Sequence, residues 1–128
     1  DEFVCKQRAD GLIVATATGS TAYALSAGGP ILKPGLAAVT IVPMCPHTLS
    51  SRPLVVSNTS KIDIRITPSN KASVNVSCDG IQHIPADAGD RLVIGPYDKQ
   101  LRLIHPQDYN YFTTLREKLN WEKHAERT

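Results

Sequence analysis

Residues 10–30 read Asp10-Gly-Leu-Ile-Val-Ala-Thr-Ala-Thr-Gly-Ser-Thr-Ala-Tyr-Ala-Leu-Ser-Ala-Gly-Gly-Pro30. An apolar run, a hydroxyl-rich turn and a short alanine-rich segment follow one another and stop at two glycines and a proline. Leu12, Ile13 and Val14 are compact and apolar, as in an interior strand. Thr18, Gly19, Ser20 and Thr21 form a flexible turn and offer a helix N-cap. Ala22 to Ala27 suit one or two helical turns, which Gly28-Gly29-Pro30 ends. Backbone N–H groups and hydroxyls then gather where an anionic or hydrogen-bonding ligand can dock. The spacing matches neither the P-loop, since no Gly-Lys-Ser/Thr follows, nor the G-x-G-x-x-G dinucleotide fingerprint, nor the G-x-S-x-G nucleophile elbow.

The rest of the chain reads mainly as β. Strands are predicted over residues 2–7, 11–16 and 39–42. Lys61-Ile-Asp-Ile-Arg-Ile-Thr67 alternates strictly, so Ile62, Ile64 and Ile66 share one face while Asp63 and Arg65 share the other. Ser73 to Cys78 alternates likewise, Asp79-Gly80 is a hairpin turn, and Ile81 to Ile84 returns. Residues 90–94 and 100–104 complete the run. Many short strands with turn residues between them predict an antiparallel β-sandwich-like domain, with a short helix after Thr21. At the C-terminus the period becomes helical. Phe112, Leu115 and Leu119 recur on one stripe, Asp108 or Asn110 is available as a cap, and the stripe is expected to dock on the sheet or on a neighbouring domain.

The 128 residues suffice for one domain, residues 1–128. A formal charge of +2 and an aromatic content of 5% give no basic stacking surface, so nucleic acid is not an expected partner. No run is apolar enough to span a bilayer, and no secretory leader opens the sequence, which points to a cytoplasmic protein without membrane contact. The first residues, Asp1-Glu2, already lie in a predicted strand, so the chain reads as a piece of a longer protein. Cys5, Cys45 and Cys78 are isolated and odd in number. They suit neither zinc nor a redox dithiol, no metal site is expected, and they read as buried free thiols.

The 10–30 segment closely resembles the signature of the NAD kinases, in which Asp-Gly, an apolar strand and Thr-Pro-Thr-Gly-Ser-Thr-Ala-Tyr run into Ser-Ala-Gly-Gly-Pro. Ala17 stands here where most members carry proline. The likeness continues through Val42-Pro-Met-Cys-Pro-His-Thr-Leu-Ser-Ser-Arg-Pro-Leu54, Ser77-Cys-Asp-Gly80 and Leu103-Ile-His-Pro-Gln-Asp-Tyr-Asn-Tyr-Phe to Trp121, nearly the whole chain. It implies transfer of the γ-phosphoryl group of ATP to the 2′-hydroxyl of the adenosine ribose of NAD, giving NADP, with a divalent metal such as Mg2+ in the complete enzyme. In the family the hydroxyl proton goes to the aspartate of a Gly-Gly-Asp-Gly motif in an N-terminal α/β domain. That motif and the family's Asn-Glu motif do not occur here. The resemblance therefore implies the C-terminal domain, with no catalytic residue in this chain, nothing tightly bound to it alone, and inactivity on its own.

By the same resemblance, Asp10, Thr21, Ala22, Tyr23, Ser26 and Cys45 match positions that line the NAD pocket. Tyr23 would lie against an adenine ring; taken alone it reads equally as a core tyrosine. Asp10 would accept from a ribose or carboxamide, or simply turn the chain before a strand. The Thr21 and Ser26 hydroxyls would bind ligand or cap their own helix. Cys45 matches a position that enters a neighbouring subunit's pocket, which implies a homo-oligomer, a dimer or tetramer; alone it reads as a buried spacer. Asp79 and Gly80 match a motif near the ligand, and a hairpin turn also explains them. Arg52, in a proline-punctuated loop with His47, would pair with a phosphate, or take a structural or subunit-contact role. A hydrolase triad of Ser20, His47 and Asp79 has no support in spacing. Two alternative functions are a non-catalytic β module for oligomerisation and the lipid-kinase branch of the same superfamily. The match through Tyr23 and the lack of a basic membrane-facing helix weigh against the second.

Overall fold

The computed structural model describes residues 1–121. Two compact units divide the chain, Asp1–Tyr97 and the segment from Asp98 onward. The first unit is mainly β and wholly antiparallel. Strands β1 (Gly11–Thr16), β2 (Ala38–Met44) and β3 (Leu54–Ser57) form one sheet in that order. Strands β4 (Ile62–Arg65) and β7 (Arg91–Ile94) pair in a second sheet, and β5 (Val74–Cys78) and β6 (Gln82–Ala86) in a third. A 3-10 turn at Gly19–Thr21 and helix α1 (Tyr23–Ser26) lie between β1 and β2. Helix α2 (Tyr111–Leu119) belongs to the second unit.

The sheet order revises the reading of β1. It pairs with β2 from Gly11↔Met44 to Thr16↔Val39 and is an edge strand, with Leu12 39% exposed. Its other face is the one that matters: Ala15 joins Ala24 of α1 and Val42 of β2 in the buried cluster, with Ile13 and Ala27 packed against it. Val42 is fully buried, and burying a valine side chain contributes about 1.5–3 kcal/mol. Residues 2–7 and 100–104, predicted as strands, are not assigned to any ladder. β3, which sequence reading missed, pairs from Ala38↔Ser57 to Ile41↔Leu54. The three cysteines are exposed, not buried.

Where the sequence alternates, the structure follows. Ile62 and Ile64 are half-buried while Asp63 and Arg65 are exposed. Across the β4–β7 ladder, Arg91 holds Asp63 at 2.7 Å, and Arg65 adds a longer contact at 3.4 Å. The hydrogen bond from Arg91, then that from Arg65, holds the Asp63 carboxyl below its ordinary range. The Asp79-Gly80 turn also forms: both residues have positive φ, 53° and 68°, and Ile81 N–H donates to Cys78 O at 3.0 Å. Positive φ at both central residues is what a type I′ turn requires.

In the second unit Asn110 is the N-cap of α2, its side chain accepting from Thr113 N–H at 3.1 Å. Asn120, in the left-handed region at φ 56°, closes the helix. Leu115 is buried, while Phe112 of the same stripe is 51% exposed.

Candidate functional site

Helix α1 is only one turn long; its start is built differently from the sequence reading, while its end falls at the double glycine as read. No hydroxyl caps its start: Ala22 is the N-cap, at φ −96° and ψ −129°, and makes no side-chain hydrogen bond. Its end is a Schellman motif. Gly28 takes φ 92°, Gly28 N–H donates to Leu25 O, and Gly29 N–H donates to Ala24 O at 2.8 Å. This turns the chain back over the sheet, where Gly29 lies against Val42.

The hydroxyls of the turn separate into two kinds. Ser20 is fully buried; its Oγ donates to Ala17 O at 2.6 Å and accepts from Leu32 N–H at 2.9 Å. Thr21 is half-buried, and its Oγ1 is 3.5 Å from Thr18 O, too long for a strong bond. Ala22, Tyr23 and Ser26 are exposed, Tyr23 by 62%. The turn thus fixes its backbone through one internal hydroxyl. It presents an aromatic ring, a small residue and two further hydroxyls outward.

Asp10 stands at the opposite end of β1, about 20 Å along the strand from the turn. It precedes the Gly11↔Met44 pair at which the ladder ends, and Cys45 follows Met44 on the other strand. Asp10 N–H donates to Met44 O and His47 N–H to Arg8 O, each at 2.9 Å, so the two segments stay tied on either side of Cys45. Cys45 itself is exposed and takes φ 46°, an unfavourable region for a residue with a Cβ. Asp10 and Cys45 therefore flank the same end of the β1–β2 ladder.

The remaining candidates lie elsewhere. Asp79 and Gly80 form the tip of the β5–β6 hairpin, on a separate sheet. Beside them Ser77 Oγ and His83 Nδ1 are 2.8 Å apart across the ladder, an exposed pair that sequence reading did not single out. Arg52 points its Nη1 at the Leu49 and Ser51 carbonyls, at 2.7 and 2.8 Å, and so holds its own loop. An open hollow of about 510 Å3 on the β5–β6 ladder, bordered by Asn70, Lys71 and Asp87, contains none of the candidate residues. Among the described residues no group of three or more His, Cys, Asp or Glu is placed to hold a metal ion.

The buried role of Ser20 is the feature that sequence reasoning missed. Three hydroxyls in four positions looked interchangeable, and only the approach of Leu32, twelve residues on, separates one from the others.

Residues 1–105 match the model of the ATP-NAD kinase C-terminal domain. The chain is 59% identical to the NAD kinase of Coxiella burnetii (strain RSA 493 / Nine Mile phase I) over 125 residues, 98% of this chain and 42% of that protein. It is 55% identical to the NAD kinase of Photobacterium profundum over 121 residues, 94% of this chain and 41% of that protein. Among solved structures, yeast NADH kinase complexed with NADH superposes with a TM-score of 0.63 at 45% identity, covering 72% of this chain and 26% of that one. An NAD kinase from Archaeoglobus fulgidus in complex with ATP gives a TM-score of 0.62 at 37% identity, covering 72% and 34%. The chain spans about two-fifths of the length of the curated relatives it matches. With the motif order, the antiparallel fold and the family match in agreement, the chain belongs to the family of NAD kinase C-terminal domains.

Proposed function

We propose that the protein carrying this chain is an NAD kinase, moving the γ-phosphoryl group of ATP to the 2′-hydroxyl of the adenosine ribose of NAD to give NADP, and that residues 1–128 act as its C-terminal, dinucleotide-binding domain. The observation that carries this reading is the turn between β1 and α1. Ser20 is internal and fully hydrogen-bonded, while Tyr23 is 62% exposed beside Thr21 and Ser26. An aromatic ring offers contact area at small entropy cost, and hydroxyls donate or accept as a ribose or phosphate requires. Yeast NADH kinase, to which the chain is 45% identical, was solved with NADH, and this supports a dinucleotide as ligand.

Thr21, Ala22, Tyr23 and Ser26 are assigned to one part of the pocket, and Asp10 and Cys45, at the other end of β1, to a part shared with a neighbouring subunit. Asp79, Gly80 and Arg52 are assigned secondary roles at the site: Asp79 and Gly80 form a hairpin tip, and Arg52 bonds the carbonyls of its own loop. Phosphoryl transfer depends on positioning and on an acceptor for the hydroxyl proton. This chain has no Gly-Gly-Asp-Gly, so the acceptor is assigned outside it. The described residues do not form a metal site, and no step is assigned to a metal held by them. The protein is read as cytoplasmic and as a dimer or tetramer. Large apolar side chains such as Leu49 and Ile81, 96% and 82% exposed on the single chain, favour assembly.

The full-length protein and the isolated chain, each incubated with NAD, ATP and magnesium and assayed for NADP, test the proposal. Turnover is expected from the former and none from the latter. Absence of NADP from the full-length protein, or turnover by the isolated chain that is abolished by changing Asp10 or Asp79, would overturn it.

A further inference from the structure

We infer that Ser20 is a positioning residue of the dinucleotide pocket: its buried hydroxyl latches the Thr18–Tyr23 turn to the segment after Pro30, and this latch sets NAD affinity. The inference rests on the reading of that turn as the NAD-binding element. Ser20 has no exposed surface and cannot itself touch ligand. Its hydroxyl is used in both directions, donating to Ala17 O at 2.6 Å and accepting from the Leu32 N–H at 2.9 Å. Leu32 is itself buried, so its N–H has no water to turn to if the acceptor is removed.

The two anchored groups lie on either side of everything the turn presents. Ala17 precedes it, and Leu32 follows the Schellman motif at Gly28-Gly29 and the proline. Between them the backbone carries an unusual conformation at Ala22 and only one turn of helix, too short to hold itself. Ala24 anchors the middle of the loop in the core, and the stretch before it keeps a fixed arrangement when its start is tied as well. The single hydroxyl that bridges the loop's ends ties that start. Losing it leaves Ala24 packed with Ala15 and Val42 and the domain folded, but lets the stretch from Thr18 to Tyr23, before that anchor, sample other arrangements, and affinity falls with the fraction of molecules in the competent one.

The test uses the full-length enzyme with Ser20→Ala and Ser20→Thr. Ser20→Ala is expected to raise KM and Kd for NAD about tenfold, the size of one lost buried hydrogen bond, with KM for ATP little changed. Hydrogen exchange at the Leu32 amide is expected to accelerate. Ser20→Thr keeps the hydroxyl and should restore most of the affinity. An NAD Kd within about twofold of wild type, with Leu32 exchange accelerated, would reduce Ser20 to a structural tie and overturn the inference. Should Ser20→Ala fail to fold, the wild-type enzyme decides: saturation with NAD must slow exchange at Leu32, and an unchanged rate overturns the latch. Thr21→Val and Tyr23→Ala separate this result from failure of the underlying reading, since unchanged NAD affinity in both would remove the turn from the pocket altogether.

Discussion

Gly29 lies against Val42 so closely that a Cβ at position 29 would sit 2.7 Å from Val42 Cγ2 and 2.8 Å from the Ala24 carbonyl oxygen. Both neighbours are held, Val42 in the middle of β2 and Ala24 in the backbone of α1, so neither can retreat cheaply. The double glycine is thus two devices. Gly28 supplies the left-handed turn, and Gly29 lets the chain return over the sheet. Gly29→Ala should destabilise the protein by about 1–3 kcal/mol through overpacking. Thermal melting checks this, and a melting temperature equal to wild type would show that the strand and helix separate more easily than their burial suggests.

Tyr23→Ala should weaken NAD binding with little change in melting temperature, because the ring is 62% exposed and contributes little to the core. The loss is expected at roughly 1–3 kcal/mol if an adenine ring rests on it. Titration of the full-length enzyme with NAD, beside a melting curve, makes the measurement. A large fall in melting temperature with unchanged affinity would return Tyr23 to a structural role.

Acid should loosen the β4–β7 ladder. Arg91 and Arg65 hold the Asp63 carboxyl below its unfolded value, so the folded state binds the proton less readily than the unfolded chain. The stabilisation is complete above the ordinary carboxylate range and is lost as pH falls through the lowered pKa of the folded state. Asp63→Asn should flatten that acid limb of a stability–pH profile while changing little near neutrality, since exposed pairs contribute modestly. An acid limb identical in the variant would remove Asp63 from the linkage.

Cys45→Arg should reduce both assembly and NAD binding if the Cys45 segment enters a shared pocket. The residue is exposed and its backbone is at φ 46°, so the substitution adds bulk and charge at a strained surface position and not in the core. Sedimentation of the full-length enzyme with and without NAD reads the outcome. A variant that keeps the wild-type mass and affinity would exclude this segment from the interface, as would a monomeric wild type that binds NAD.

What the sequence by itself determined is local. Asp79-Gly80 formed its turn because both residues tolerate the positive φ that it requires, with Ile81 completing the link to β6. Ile62 and Ile64 faced inward and Asp63 outward because side chains alternate along any strand, whatever pairs with it. The helical stripe of α2 was legible with Asp108 or Asn110 as its cap, and the structure picks Asn110, whose amide oxygen accepts from Thr113 N–H. The antiparallel β class follows from several such segments in series. The motif through Tyr23 was legible too, together with the family it carries.

What only the tertiary structure decided is partnership. Leu12-Ile13-Val14 looks equally apolar at an edge or in the centre of a sheet, and among the described residues β1 is an edge strand, paired with β2 alone. Phe3-Val4 and Leu101 to Ile104 have strand-like composition, yet a strand exists only where a neighbour accepts its hydrogen bonds. Leu54 to Ser57 carries a weaker pattern and became β3 because β2 offers it an edge. Arg52 turned to the Leu49 and Ser51 carbonyls because its own loop folds within reach of the guanidinium. Ser20, Thr21 and Thr18 are alike as letters. The arrival of Leu32 twelve residues later buries one hydroxyl and leaves the others facing outward, a distinction made by distance in space and invisible to spacing along the chain.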